Sequence, residues 1–245
     1  MTTLGQVPYG DAVALQDRVR AARQADAIPD TLLLLEHPPV YTRGRRATAA
    51  DLPRGEGWYR DQGIDIHDSD RGGQVTYHGP GQLVGYPIVR IESVRRYVAD
   101  LEAAVIAALA DEGIAAHAPE QLTGVWAGDA KIASIGIHVS RHVTMHGFAV
   151  NVDNDLAPFE WVSACGVPGA RMTSVAREKE QLGIGTASMS CFRKRAAHRL
   201  AEHLGRRQRL VTPHRLLAAT GAAAPTAKPF AGDRVCDRPP SVATP

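Results

Sequence analysis

The sequence predicts an α/β domain of the α+β type, with a mixed, mainly antiparallel sheet and flanking helices gathered on one side. Three observations lead there. Apolar runs of strand length outnumber the amphipathic helical stretches. The two kinds of segment do not alternate as a parallel βαβ array requires. The 245-residue composition, 44% hydrophobic and 22% charged, is that of a globular chain rather than a disordered or fibrous one. No linker interrupts the first 205 residues, so one domain is expected over 1–221, followed by an Ala/Pro-rich tail over 222–245. With little to bury, that tail is expected to be disordered.

The elements follow in order. Ala12, Leu15, Val19 and Ala22 recur at helical spacing and predict an amphipathic helix over Asp11–Ala25. Thr31–Glu36 is a short apolar run stopped by Pro38 and Pro39, which predicts a buried strand. Thr42–Trp58 reads as a loop and Ile64–His67 as a further strand. Gln74–His78 and Leu83–Val89 read as a strand pair joined by Gly79-Pro80-Gly81. Ser93–Glu112 has a capping serine, an apolar stripe through Val94, Val98, Leu101, Val105 and Leu109, and Gly113 after its end, so it predicts a helix. Strands are expected at Gly124–Ala127, Lys131–Val139 and Thr144–Val150. A helix is expected over Ser188–Leu204, closed by Gly205, and a last one between Thr212-Pro213 and Gly221.

Composition also narrows the function classes. No stretch approaches the roughly 18 apolar residues of a membrane span, and Met1–Gly10 lacks the basic-then-apolar order of a signal peptide. Three cysteines make no disulfide framework, which favours a reducing, cytoplasmic setting. The net charge of +2 names no partner. Within it, Arg193–Arg215 carries eight Lys or Arg residues against Glu202 alone. That stretch reads either as a solvated face or as a docking patch for an acidic partner. No aromatic residues interleave with its charges as a stacking surface for nucleic acid requires.

Three segments carry candidate chemistry. Arg71-Gly72-Gly73-Gln74-Val75-Thr76-Tyr77-His78 continues into Gly79-Pro80-Gly81-Gln82. Four glycines alone suit a tight hairpin, but Arg71, His78 and Gln82 within the same turn system favour a ligand loop. It is neither a Walker loop nor a dinucleotide fingerprint. Lys131 heads an apolar strand and, by strict alternation, shares a face with Ala133, Ile135, Ile137 and Val139. Periodicity alone favours a lysine at the strand's edge with its amine in water over a desolvated one. Cys165 sits among Gly166, Pro168 and Gly169, a context in which a thiol is reachable, whereas Cys191 on its helix fits a small buried hydrophobe. His138, His142 and His146 are spaced by four, but in a strand or hairpin that spacing does not converge, so no metal site is expected there.

Taken together, four ordered segments resemble the lipoyl(octanoyl) transferase family. The run Arg71–Ile88 resembles its signature. Lys131-Ile132-Ala133-Ser134-Ile135-Gly136 resembles its second motif, which carries the active-site lysine. His146-Gly147-Phe148-Ala149 with Asn151 resembles the third, and Cys165-Gly166 followed by Thr173-Ser174 the fourth, which carries the acylated cysteine. Leu32–Pro38 matches the family's early strand. Two features depart from the pattern: Ala164 stands where proline usually precedes the cysteine, and the tail has no counterpart.

The resemblance implies a fold akin to the catalytic domains of biotin and lipoate protein ligases. It implies transfer of an octanoyl group from octanoyl-acyl carrier protein to a lysine of lipoyl domains, those of 2-oxoacid dehydrogenases and of the glycine-cleavage H protein. No cofactor, membrane or nucleic acid is implied. Cys165 is the expected nucleophile, passing through a thioester, and Lys131 the expected proton acceptor. Substrate contacts are expected along Arg71–His78, at Ser134, Ile135 and Gly136, and at Gly147, Phe148 and Ala149. Backbone amides near Gly72, Gly73 and Cys165, or the His78 side chain, are the candidate oxyanion donors. Two alternatives stand beside this reading: an ATP-dependent lipoate- or biotin-type ligase, and octanoyl transfer from another lipoyl protein.

Overall fold

The leucine run Leu33-Leu34-Leu35 is fully buried and is apolar toward both faces of a sheet. Each such side chain contributes about 1.5–3 kcal/mol on leaving water. It can do so only in a strand covered on both sides. The computed structural model, which describes residues 1–162 and 171–230, places this run at the heart of a six-stranded sheet. In chain order the elements are β1 (Thr2–Gln6), α1 (Tyr9–Gln24), β2 (Thr31–Glu36), β3 (Val40–Arg43), a 3-10 turn (Ala49–Asp51) and α2 (Glu56–Asp61). Then come β4 (Asp65–Asp68), β5 (Val75–His78), β6 (Gln82–Ile88), α3 (Val94–Ala110), β7 (Val125–Ala127), β8 (Ala130–Ser140) and β9 (Val143–Asn151). The remaining helices are α4 (Ala157–Glu160), α5 (Val175–Leu182), α6 (Met189–His203) and α7 (Pro213–Thr220).

The large sheet has the order β1-β2-β6-β9-β8-β7, antiparallel except for the β1–β2 pair. Helices cover both of its faces, not one. Ala12, Leu15 and Val19 of α1 pack with Leu33, Leu35, Val84, Tyr86 and Ile88. On the opposite face Leu34, Leu83 and Val150 pack with Leu101, Val105 and Leu109 of α3 and Phe192 and Leu200 of α6. A second sheet, β4-β3-β5, carries its own core around Tyr41, Tyr59, Val75 and Tyr77.

The expected pairing of the strands on either side of Gly79-Pro80-Gly81 does not form. β5 pairs with β3 in the small sheet, and β6 pairs with β2 and β9 in the large one. The turn hands the chain from one sheet to the other. Gly81, at φ +84°, permits this: a Cβ there would lie 2.6 Å from the Asp153 carboxylate and 2.8 Å from the Asn154 amide. The expected loop over Thr42–Trp58 holds the end of β3 and the start of α2, because the prolines that end β2 leave the chain extended as it enters the second sheet. Along α3 the expected stripe shifts: Val94 is exposed, and Tyr97, Ala104 and Ala108 are buried beside Leu101, Val105 and Leu109.

Part of the tail is among the described residues. Residues 222–230 lie against the domain, and Lys228 exchanges two backbone hydrogen bonds with Gln6 of β1, at 2.7 and 2.9 Å. Cys191 is not a lone buried hydrophobe: it is half-buried and disulfide-bonded, with its partner outside the described residues. Among the described residues, no helix is long and apolar enough to cross a membrane.

Candidate active site

A cavity of about 380 Å³ opens between the glycine-rich segment and the face of the large sheet that α1 covers. Its floor is made of small side chains. Register places Ser134 opposite Ala149 and Gly136 opposite Gly147 across β8 and β9, so four small residues form one contiguous patch. The glycine-rich segment lies directly over it. Gly72 donates its amide to the Ile137 carbonyl at 3.0 Å, and a Cβ on Gly136 would meet Arg71 and the Gly72 carbonyl at 3.1 Å.

Arg71 holds that segment in place. Its guanidinium is buried and donates to the Thr42 carbonyl (2.5 Å) and hydroxyl (2.7 Å) and to the carbonyls of Gly72 (3.0 Å) and Gln74 (2.9 Å). A planar cation with five donors suits this cluster of carbonyls. It braces the rim of the cavity against β3.

Lys131 enters the cavity, and strict alternation does not explain how. β7 pairs Val125 with Ala133 and Trp126 with Lys131, so β8 carries one extra residue at this point. The consecutive side chains of Ile132 and Ala133 both lie in the core under α3. This β-bulge shifts the alternation by one. Lys131 thereby lines the same cavity as Ser134 and Gly136, while Ile137 packs on the other face and Ile135 packs there while also bordering the cavity. Its amine is not in water: the residue is 4% exposed, Nζ donates to the Thr123 carbonyl at 3.3 Å, and it lies 4.9 Å from the centre of the Trp126 ring. The backbone of Lys131 is clamped by residues 171–173. Its amide donates to the Arg171 carbonyl (2.8 Å), and its carbonyl accepts from Thr173 (2.9 Å).

The expected contact residues Arg71–Thr76, His78, Ser134–Gly136 and Gly147–Ala149 all line the cavity. Tyr77 does not; it turns into the small-sheet core beside Tyr41 and Phe159. Cys165 lies outside the described residues. Sequence reading missed Tyr9, Tyr86 and Thr123, which also line the cavity. Tyr86 follows Val84 at strand spacing, a signal available once the inward face of β6 is known. Tyr9 and Thr123 arrive from a helix start and a loop, and no local pattern marks them.

Histidines gather on the wall nearest α1. Burial keeps His78 neutral, its pKa far below the ordinary histidine value. Its Nδ1–H donates to Gln82 Oε1 at 2.7 Å, an orientation set because the Gln82 amide donates to Asn151 Oδ1 at 2.9 Å. Nε2 of His78 is therefore an acceptor, so the side chain cannot serve as an oxyanion donor. His37 donates through Nδ1 to the Val7 carbonyl and accepts the Tyr86 hydroxyl at Nε2, and burial lowers its pKa to about 4. His146 donates through Nε2 to Asp70 at 2.6 Å, with His138 at 3.6 Å from the same carboxylate, which holds Asp70 at a pKa of about 2. Among the described residues, no three metal-ligating side chains converge.

Comparison with known proteins places this geometry in a family. Residues 8–197 match the lipoyl protein ligase A/B catalytic domain. An octanoyltransferase of Rubrobacter xylanophilus is 47% identical over 178 residues, 71% of this chain and 80% of that protein. The chain belongs to the lipoyl(octanoyl) transferases of the lipoyl protein ligase A/B family. It is accordingly a transferase. The fold extends beyond the octanoyltransferases: a bipartite lipoate protein ligase of Thermoplasma acidophilum superposes with a TM-score of 0.66 at 16% identity, covering 90% of this chain and 89% of that one. A biotin protein ligase of Aquifex aeolicus gives 0.51 at 15% identity, over 84% and 69%. The expected kinship with both ligase groups holds at the level of fold.

Part of the basic stretch is committed within this transferase. Arg195 pairs with Glu112, Arg199 with Asp111 (2.6 Å) and Glu202 (2.9 Å), and Arg206 with Asp30 (2.9 Å). The charge of these three residues is answered by acids just after α3, within α6 and before β2.

Proposed function

We propose that this transferase moves an octanoyl group from octanoyl-acyl carrier protein to a lysine of lipoyl domains, through a thioester on Cys165. In the first step the Cys165 thiolate attacks the donor's thioester carbonyl. The new carbon–sulfur bond forms as the old one breaks, and the carrier's sulfur leaves as a thiolate and takes up the proton held by Lys131. In the second the acceptor's lysine amine attacks the Cys165 thioester. The amide forms, the cysteine leaves as its thiolate, and Lys131 takes the proton that the amine gives up. The acceptors on this reading are the lipoyl domains of 2-oxoacid dehydrogenases and the glycine-cleavage H protein, in the cytoplasm.

The observation that carries the reading is the bulge that turns Lys131 into a cavity floored by Ser134, Gly136, Gly147 and Ala149. Such a floor accepts an unbranched acyl chain. Burying about seven of its carbons contributes roughly 5 kcal/mol at ~0.8 kcal/mol each. Five residues of chain separate Cys165 from Arg171, whose carbonyl holds the Lys131 amide. The Gly72 amide is spent on Ile137, which makes Gly73 the glycine-loop amide proposed to meet the developing oxyanion.

The test is the intact mass of the reduced protein after incubation with octanoyl-acyl carrier protein and no ATP. One hydroxylamine-labile octanoyl group mapped to Cys165 establishes the intermediate and the donor together. Transfer to a lipoyl domain without any adduct removes the nucleophile role from Cys165. A strict need for ATP with octanoate replaces the reading with a ligase.

A further inference from the structure

The rim of the cavity carries a cation that the acyl chain does not need. Gly44, Arg45, Arg46 and Ala47 form a turn closed by the Ala47 amide on the Gly44 carbonyl (2.9 Å). This turn is bolted to the glycine-rich segment. The Arg45 amide donates to the Arg71 carbonyl (3.0 Å) and the Arg46 amide to the Gly73 carbonyl (3.0 Å). There is no slack: a Cβ on Gly44 would lie 2.5 Å from the Gly73 carbonyl oxygen and 2.7 Å from the Arg71 guanidinium. Both arginine side chains are exposed, and Arg46 lines the cavity. Among the described residues no carboxylate pairs with either, in contrast to Arg195, Arg199 and Arg206. A guanidinium mounted on a rigid turn loses little freedom on meeting an anion, and its fork suits a phosphate.

We infer that Arg46, with Arg45 beside it, binds the phosphate ester on the pantetheine arm of the acyl donor. The inference rests on the proposed thioester donor and adds the group by which that donor is held. The acyl chain lies over the small-residue floor, the thioester meets Lys131, and the arm leaves past the turn, where its phosphate finds the arginine pair.

The experiment compares octanoyl-4′-phosphopantetheine with octanoyl-pantetheine as donors to a lipoyl domain, in the wild-type protein and in Arg46→Gln and Arg46→Glu. The quantity read is the ratio of kcat/KM between the two donors. Arg46 is exposed, and a thermal melt of each variant confirms folding. The expected result is a wild-type preference for the phosphorylated donor that falls about tenfold in Arg46→Gln, the loss of one charge-assisted hydrogen bond, and further in Arg46→Glu. An unchanged ratio overturns the inference while transfer itself leaves the proposed function standing. A loss seen only with the intact carrier protein overturns it as well, because the arginines then answer acidic side chains rather than phosphate. If the wild-type protein accepts no octanoyl thioester, carrier-bound or free, the proposed function falls and the inference with it.

Discussion

The carbonyl of Lys131 accepts the amide of Thr173 at 2.9 Å, and the Thr173 carbonyl accepts the Asn151 side-chain amide at 3.0 Å. The candidate lysine, Thr173 and the end of β9 are thus joined by consecutive hydrogen bonds. Replacing Lys131 by methionine keeps its apolar stem and removes the proton acceptor. Transfer is expected to fall by about 10²–10⁴ with the fold intact. Steady-state octanoylation of a lipoyl domain, with a circular dichroism control, checks it.

Arg71→Lys keeps the charge and loses the fork. One ammonium cannot serve Thr42, Gly72 and Gln74 together. The glycine-rich segment should loosen from β3, costing about 2–4 kcal/mol of stability. Urea unfolding measures this, and an unchanged midpoint would refute the bracing role.

Gly85 lies beneath Phe148, and a Cβ there would come within 2.2 Å of the ring. Phe148 both packs in the core and lines the cavity, so the ring cannot retreat without cost. Gly85→Ala is expected to lower stability by about 1–3 kcal/mol and to weaken octanoyl transfer together with it. A Tm equal to that of the parent would show that the ring has room to move.

Stability should fall on mild acidification. His37 is buried and neutral with a folded pKa of about 4, below the ordinary value of 6.5. Between those values the unfolded chain binds a proton that the folded one does not, so folding free energy declines as pH drops from 6.5 toward 4, by at most about 3 kcal/mol from this residue. His78 shifts in the same direction and adds to the decline. Chemical denaturation at pH 7 and pH 5 should show a difference that shrinks in His37→Gln. An equal slope in that variant would assign the effect elsewhere.

Much of this molecule was legible in the sequence. The run Thr31–Glu36 matches β2 residue for residue, since two-sided burial leaves a continuous apolar signal. Ser93 and Thr212 each cap a helix as read, accepting from Arg96 and Arg215, and Ser188, read as the start of a helix, caps it by accepting from Cys191. α5 escaped because it buries only Val175 and so shows no apolar stripe, although Ser174 and Gly183 mark its ends. β1 escaped because parallel pairing with a strand 30 residues away leaves no local signature. At the site, the glycine-rich segment and the small residues of β8 and β9 were readable as motifs. The orientation of Lys131 was not, because a bulge depends on the partner strand. Nor was the inward turn of Tyr77, which follows from β5 belonging to the second sheet.

The two borders of the large sheet are both occupied. At one, Val211 bonds Met1, and Lys228 pairs with Gln6 so closely that a Cβ on Gly5 would strike its carbonyl. At the other, His117 and Trp126 exchange backbone hydrogen bonds at 2.8 and 2.9 Å. A visiting protein therefore finds no open ladder there to extend. On the proposed function, recognition of donor and acceptor then rests on surfaces other than these two borders. The last strand-like contact, made by a segment of the Ala/Pro-rich tail, acts as a guard: removing residues from 222 onward should uncover this end of β1 and make the protein more prone to edge-to-edge association.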